Sequence, residues 1–329
     1  MNHRTLGKTG INVSEISLGT WQVGGKWGQP FDHALADDIL NTAVDQGVNF
    51  IDTADVYGDG NGESEQAVGR LVRSRSERIY VASKCGRQLQ PHTNEAYTPK
   101  ALRAYVEASL KNMGLEQLDL IQLHCPPTEV YYRPEIFGLF DRLKEEGKVA
   151  NLGVSVEKIE EALKAIGFPN VTTVQIIFNI FRQRPVELFF REAARRNVGI
   201  LARVPLASGL LTGKFGKDTT FGADDHRQFN RNGEAFDKGE TFSGLDYDLG
   251  LEVVQELQKI LPGRELVHVA LQWILSHPEV SCVIPGASKA SQVTNNLTAA
   301  QATPLTKEEI AQINTLYQEK VKAQVHHLW

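Results

Sequence analysis

The chain has 329 residues, 41% hydrophobic and 23% charged, with a formal net charge of −5 at pH 7. That composition supports a packed core and excludes an intrinsically disordered chain. The mildly acidic balance gives no general pull toward nucleic acid or anionic membranes, and no stretch approaches the roughly 18 uninterrupted apolar residues of a membrane span.

Residues 1–10 are polar and basic, without the apolar run of a signal peptide. The three cysteines, Cys85, Cys125 and Cys282, make no even set and no CxxC pair, so a reducing, cytoplasmic setting is expected. A short first strand is expected at 15–18. Residues 48–51 predict the second, followed by a helix over 63–73 with Ala67, Val68, Leu71 and Val72 on one face. Residues 79–83 predict the third. A helix follows from Pro99, with Thr98 as its cap and Leu102, Val106, Leu110 and Met113 at helical spacing.

The alternation continues. Strand 118–123 precedes a helix carrying Ile136, Leu139, Phe140 and Leu143, ended by Gly147. Strand 150–154 precedes one carrying Ile159, Ala162, Leu163 and Ile166, and strand 171–178 precedes a helix over 186–196. The seventh strand is 198–202. The last is 281–284, with 292–297 in the helix after it.

Strict alternation implies a parallel sheet with helical crossovers, and eight such units imply a single α/β domain over 1–329, a (β/α)8 TIM barrel. The alternative, a doubly wound open sheet, would carry a glycine fingerprint after an early strand, and none is present. Two stretches break the rhythm. Residues 212–246 form a long polar loop with Phe221, Phe229, Phe236 and Phe242 scattered through it. Loops of that length are usually functional or mobile. A tail over 318–329 lies beyond the last unit, placed to cover part of one face.

Catalytic groups in such a barrel sit where the strands end. Asp52 follows the second strand with Tyr57 just beyond it; Lys84 follows the third and His124 the fourth. Ser155, Gln175 and Arg203 fall on or after the fifth, sixth and seventh. Tyrosine titrates near ~10, and a nearby ammonium favours the phenolate and lowers that value. An aspartate would hold the lysine, and a histidine can donate to an oxygen gaining charge. Together the four suit protonating a carbonyl oxygen as a hydride reaches its carbon. Singly, each has a plainer role: Asp52 a helix cap, Tyr57 loop packing, His124 a turn. The pair His124-Cys125 hints at zinc, but no cluster supplies the three or four ligands needed, so no metal is expected.

The sequence resembles the aldo-keto reductase superfamily over nearly its whole length. The likeness is carried by Leu18-Gly19-Thr20-Trp21, by Asn49-Phe50-Ile51-Asp52-Thr53-Ala54-Asp55-Val56-Tyr57-Gly58, and by Gly62-Glu63-Ser64-Glu65. Ala82-Ser83-Lys84, Leu123-His124 and Gly153-Val154-Ser155 continue it. So do the run from Pro205 and Leu206 to Lys214, and Ile284-Pro285-Gly286-Ala287-Ser288-Lys289. The pattern is most similar to the bacterial branches.

The resemblance implies an NADP(H)-dependent reductase of small aldehydes or ketones, with Tyr57 as general acid, Lys84 and Asp52 in support, and His124 orienting the carbonyl. It also implies an extended nucleotide across the barrel mouth. Ser155 and Gln175 would meet the nicotinamide carboxamide, Gly19, Thr20 and Trp21 the neighbouring ribose, and Pro205, Leu206, Ser208, Gly209, Leu211 and Lys214 the pyrophosphate. Gly286, Ser288 and Lys289 would take the 2′-phosphate at a helix start, with Gln292, Asn295 and Asn296 at the adenosine. Trp21, Trp27, Tyr57 and His124 would face the substrate. Three positions depart from the family pattern: Val156 replaces a common asparagine, Arg203 a tyrosine that stacks on the nicotinamide, and Gln292 an arginine. A planar guanidinium can also stack on a ring. Because the superfamily includes channel-associated regulatory subunits, a nucleotide-sensing binding protein is the alternative reading.

Overall fold

A computed structural model describes residues 1–25, 29–58 and 60–329. The chain enters through an antiparallel hairpin, β1 (His3–Thr5) against β2 (Asn12–Ser14). Its Leu6, Ile11 and Val13 bury against Phe50, Leu120, Leu201 and Cys282, and so plug the barrel at the end where the strands begin. Eight parallel strands follow: β3 (Leu18–Gly19), β4 (Phe50–Asp52), β5 (Tyr80–Cys85), β6 (Leu120–His124), β7 (Leu152–Ser155), β8 (Val171–Ile177), β9 (Gly199–Arg203) and β10 (Val280–Val283).

They pair in sequence order. Parallel bridges Ile16–Val283 and Gly19–Gly286 then bring the first strand to the last, with Ser17 N donating to Val283 O at 2.9 Å. The fold is the expected (β/α)8 barrel. Helices cover the outer faces of the strands, so the strands read as apolar runs and all seven residues of β8 are buried.

The helices are α1 (His33–Asp45), α2 (Glu63–Ser74), α3 (Pro99–Met113), α4 (Pro134–Glu145), α5 (Ile159–Ala165) and α6 (Phe189–Arg195). Then come α7 (His226–Phe229), α8 (Tyr247–Ile260), α9 (Leu266–Leu275), α10 (Ala290–Thr298), α11 (Lys307–Leu316) and α12 (Lys322–Val325). Helix α3 begins as its sequence implies, with the Thr98 hydroxyl accepting from Ala101 N and Pro99 at the first turn, and Gly114 in the left-handed region ends it. The helix expected over 186–196 is shorter. A 3-10 turn over Arg184–Val186 comes first, and Leu188 leaves helical geometry before α6 starts. None of the described helices is long and apolar enough to cross a membrane.

Helices α2 and α3 pack side by side, and Gly69 is the point of closest approach. Alanine would ordinarily favour a helix interior by about 1 kcal/mol over glycine. Here a Cβ would collide with the Met113 carbonyl and backbone. Gly69→Ala is therefore expected to destabilise the protein, by about 1–3 kcal/mol. A urea denaturation series checks the sign.

Residues 212–246 fold against the barrel mouth. They contain α7 and short 3-10 turns at Lys238–Glu240 and Phe242–Gly244. The aromatic rings of this stretch cluster with one another, and guanidinium groups lie on them: Arg227 is 4.6 Å from the Phe221 ring centre and Arg231 5.5 Å from that of Phe242. The tail fastens this segment from outside. Trp329 donates from Nε1 to Asp237 Oδ1 at 2.9 Å, lies 4.0 Å from the Arg182 guanidinium, and packs so tightly on Gly239 and Gly244 that a side chain at Gly244 would collide with it.

Candidate active site

The strand ends gather the expected residues around one cavity of about 420 Å³ at the barrel mouth. Asp52 ends β4 and is almost wholly buried, and Lys84 in β5 is wholly buried beside it. Lys84 Nζ lies 2.5 Å from Asp52 Oδ2, donates to Thr53 O at 2.8 Å, and reaches the Tyr57 hydroxyl at 3.2 Å. All three donor positions of the ammonium are thereby used. Asp52 Oδ1 in turn accepts from Gln122 at 3.0 Å and from Gln175 at 2.8 Å. The Tyr57 and His124 rings meet edge to face with centres 5.9 Å apart. The quartet converges.

Charge in this pocket is governed by burial. Burial pulls the Lys84 ammonium down, but Asp52 and then Tyr57 outweigh it, and its pKa stays above the usual lysine value. For Tyr57 the expected lowering does not hold. Burial pushes the phenol up, Lys84 draws it only part of the way back, and Asp52 pushes it up again, so the pKa is raised. Burial is the main cause, and Asp52, which sits on the same cation, adds to it. His124 is held well below its ordinary value, first by burial and then by Lys84, Arg87 and Arg203, so its imidazole is neutral. Its Nδ1 is buried without a hydrogen-bond partner among the described residues.

Backbone strain marks two strand ends. Cys125, directly after His124, has φ 47°, and Val204, Ala207 and Ser208 after β9 have φ 54°, 47° and 56°. Left-handed geometry is an outlier for a β-branched valine and collects at functional sites. Val204 is held by its carbonyl, which accepts from Asn179 Nδ2 at 2.8 Å.

Most of the expected nucleotide-binding residues line the same cavity. Gly19, Thr20, Trp21, Ser155, Gln175, Arg203, Pro205, Leu206, Ser208, Gly209, Lys214, Gly286, Ser288, Gln292, Asn295 and Asn296 all face it. Two do not. Leu211 is packed in the core and its amide is spent on Leu206 O, while Lys289 is exposed at the N-cap of α10, outside the lining. Trp27 lies outside the described residues.

Arg203 is the clearest revision. Its guanidinium is ion-paired with Glu240 at 2.6 Å and donates to Val156 O at 3.0 Å, so its charge is neutralised by the long loop. Cys125, Glu157 and Glu240 hold their ligand atoms within 4.8 Å of one another, a spacing within reach of one metal ion. The Arg203 cation already sits on two of the three, 3.8 Å from the Cys125 sulfur.

Several site residues escaped sequence reasoning. Gln122 holds Asp52, and its signal was present, since strand alternation places it on the same side as His124. Arg87, His226, Phe236 and Glu240 also line the cavity. The His226 ring lies 4.6 Å and the Phe236 ring 6.3 Å from Trp21, so the long loop supplies one wall. The Gly62-Glu63-Ser64-Glu65 motif acts as a rivet. Ser64 bonds both Thr20 and Thr53 at 2.8 and 2.9 Å, and Glu65 accepts from Ser83 at 2.5 Å and Asn112 at 2.8 Å.

The cavity's donor set fits an extended dinucleotide. The only lining carboxylates among the described residues, Asp52 and Glu240, are paired with Lys84 and Arg203, while Lys214, Arg227, Ser288, Gln292, Asn295 and Asn296 line the rest. A side chain at Gly286 would meet nothing nearer than 3.9 Å, so the backbone there is open to close approach.

A sequence model of the aldo/keto reductase family matches residues 15–318. The chain belongs to this family. Among its relatives is the aldo-keto reductase YhdN of Bacillus subtilis (strain 168), 30% identical over 98% of this chain and 95% of that protein. A probable voltage-gated potassium channel subunit beta of Arabidopsis thaliana is 28% identical over 93% of each chain. The solved structure of the glycerol dehydrogenase AKR11B4 from Gluconobacter oxydans superposes with a TM-score of 0.78 at 29% identity, covering 97% of this chain and 96% of that one. As an aldo/keto reductase, the protein is an oxidoreductase that works with a nicotinamide cofactor on carbonyl chemistry.

Proposed function

We propose that this aldo/keto reductase uses NADP(H) to reduce small aldehydes and ketones, with Tyr57 giving the proton to the carbonyl oxygen. The observation that carries the reading is the buried Lys84 ammonium bonded at once to Asp52 and to the Tyr57 hydroxyl, beside a cavity suited to a dinucleotide. Bound nicotinamide supplies the hydride. Tyr57 keeps its proton until the substrate oxygen gains charge, and Lys84 then stabilises the phenolate at 3.2 Å. Neutral His124 donates a hydrogen bond to the same oxygen and sets its angle. Ser155 and Gln175 would hold the carboxamide, and Trp21 with Phe236 would exclude water from the reacting carbon.

The preference for the phosphorylated nucleotide rests on Ser288, just before the N-cap of α10, and on the lack of an unpaired carboxylate in the described lining. An NAD-selective pocket usually sets an acid against the ribose hydroxyls, and Glu265, just outside the lining, is spent on Asn295 at 2.7 Å. Titrating the intrinsic tryptophan fluorescence with NADPH and with NADH tests this. Equal affinities would remove the case for Ser288.

The raised Tyr57 pKa has a definite sign. The phenol is the proton-donating form, so reduction of a neutral aldehyde is expected to stay undiminished by Tyr57 up to at least the ordinary tyrosine value, about 10. A pH–rate profile in which loss of the Tyr57 proton set in near neutrality would contradict the buried site. The channel-subunit relative supports a second reading, a nucleotide-sensing binding protein. Tight nucleotide binding without turnover of any aldehyde in a broad panel would select it.

A further inference from the structure

The charges around His124 differ in how well they are paired. Asp52 sits 2.5 Å from Lys84, and Glu240 sits 2.6 Å from Arg203. Arg87, three residues beyond Lys84 and lining the same cavity as Tyr57 and His124, has only a long contact of 3.4 Å, from Nη1 to Glu157. That is its one hydrogen bond among the described residues, which leaves most of its five N–H groups free. Its side chain is 23% exposed, so it is accessible without being fully hydrated. Glu157 is also a poor counter-ion. Burial, with Asp237 and Glu240 nearby, pushes its pKa up to about 7, so much of it is protonated at neutral pH. Trp21 with Phe236 edge-on lines the same cavity, an apolar face that suits a short carbon chain.

We infer that Arg87 is the anchor for an anionic group on the substrate, so that the preferred carbonyl compounds are those carrying a carboxylate or phosphate. The inference rests on the reductase reading and names its substrate class. A planar guanidinium with free N–H groups receives either anion in a two-pronged contact. Glu240 also lends Arg87 negative charge, but it is ion-paired with Arg203, so the anion adds the direct counter-charge that Glu157 and Glu240 supply incompletely.

Matched pairs of aldehydes test this on the full-length enzyme with saturating NADPH: 4-oxobutanoate against butanal for the carboxylate, and glyceraldehyde 3-phosphate against glyceraldehyde for the phosphate. The charged member of at least one pair is expected to have the higher kcat/KM, and the pair that does so identifies the anion. Arg87→Met should cut the charged-to-neutral ratio by on the order of 10- to 100-fold, mainly through KM, because a hydrogen bond to an ion is lost. Arg87→Lys should recover part of it. Glu157→Gln should move the ratio the other way, a sign that a purely structural role for Arg87 would not produce.

A ratio at or below one for both pairs in the unaltered enzyme overturns the inference, as does an Arg87→Met variant that slows both members alike. If Arg87→Met does not fold, the ratios of the unaltered enzyme and of Arg87→Lys decide. Failure to turn over any aldehyde would instead overturn the reductase reading itself.

Discussion

Tyr57→Phe is expected to lower kcat for aldehyde reduction by about 10²–10⁴-fold, the range that a positioned proton donor contributes. NADPH should still bind, because the phenyl ring fills the same space and the nucleotide's other contacts come from different loops. Only the hydroxyl is lost, and with it one of three bonds to the Lys84 ammonium, so folding should change little. Turnover by stopped-flow absorbance, with nucleotide affinity by fluorescence, separates the two effects. Loss of binding with the chemistry intact would remove Tyr57 from the role of proton donor.

Lys84→Met should do damage of another kind. The ammonium and Asp52 are both almost wholly buried, and their pairing compensates for two expensive desolvations. Removing the cation leaves the Asp52 charge with two side-chain amide donors among the described residues, Gln122 and Gln175. Breaking a buried pair from one side costs about 3–5 kcal/mol, so the variant should unfold at a clearly lower urea concentration as well as lose activity. A variant with native stability and impaired turnover would mean that Asp52 escapes its charge by taking up a proton.

The barrel was legible because parallel strands covered on both faces read as apolar runs separated by helical spacing. The site was legible because barrel strands deliver their last residues to one rim, so that reading the residue after each strand located Asp52, Lys84 and His124. Helix α1 carries as plain a pattern, with an Asp32 cap and Ala36, Ile39, Leu40, Ala43 and Val44 buried, but it sits between a strand of two residues and one of three, where alternation is hard to see.

What sequence could not give is whatever depends on partners far apart in the chain. Arg203 read as a cation beside the nicotinamide because nothing near it in sequence announces Glu240. The direction of the Tyr57 shift was misjudged for a related reason. Spacing tells that Lys84 is near, but the balance between burial, Lys84 and Asp52 is a property of the packed pocket. Ser64 and Glu65 were recognisable as a motif, whereas their work as rivets between Thr20, Thr53, Ser83 and Asn112 required coordinates.

The indole of Trp329, clamped between Arg182 and the glycines at 239 and 244, gives the molecule a division of labour. The strands that hold the reacting groups are bound to one another by backbone ladders, while the segment carrying Glu240 is fastened mainly through side chains: the Glu240–Arg203 ion pair, Ser243 accepting from Asn179 at 2.7 Å, and the Trp329 indole on Asp237. A segment held by side chains rather than by a strand ladder opens locally at less cost than the body it covers. Passage of the nucleotide in and out would then be set by these side-chain fastenings, the Trp329 ring among them, leaving the strands that hold the proton donor undisturbed.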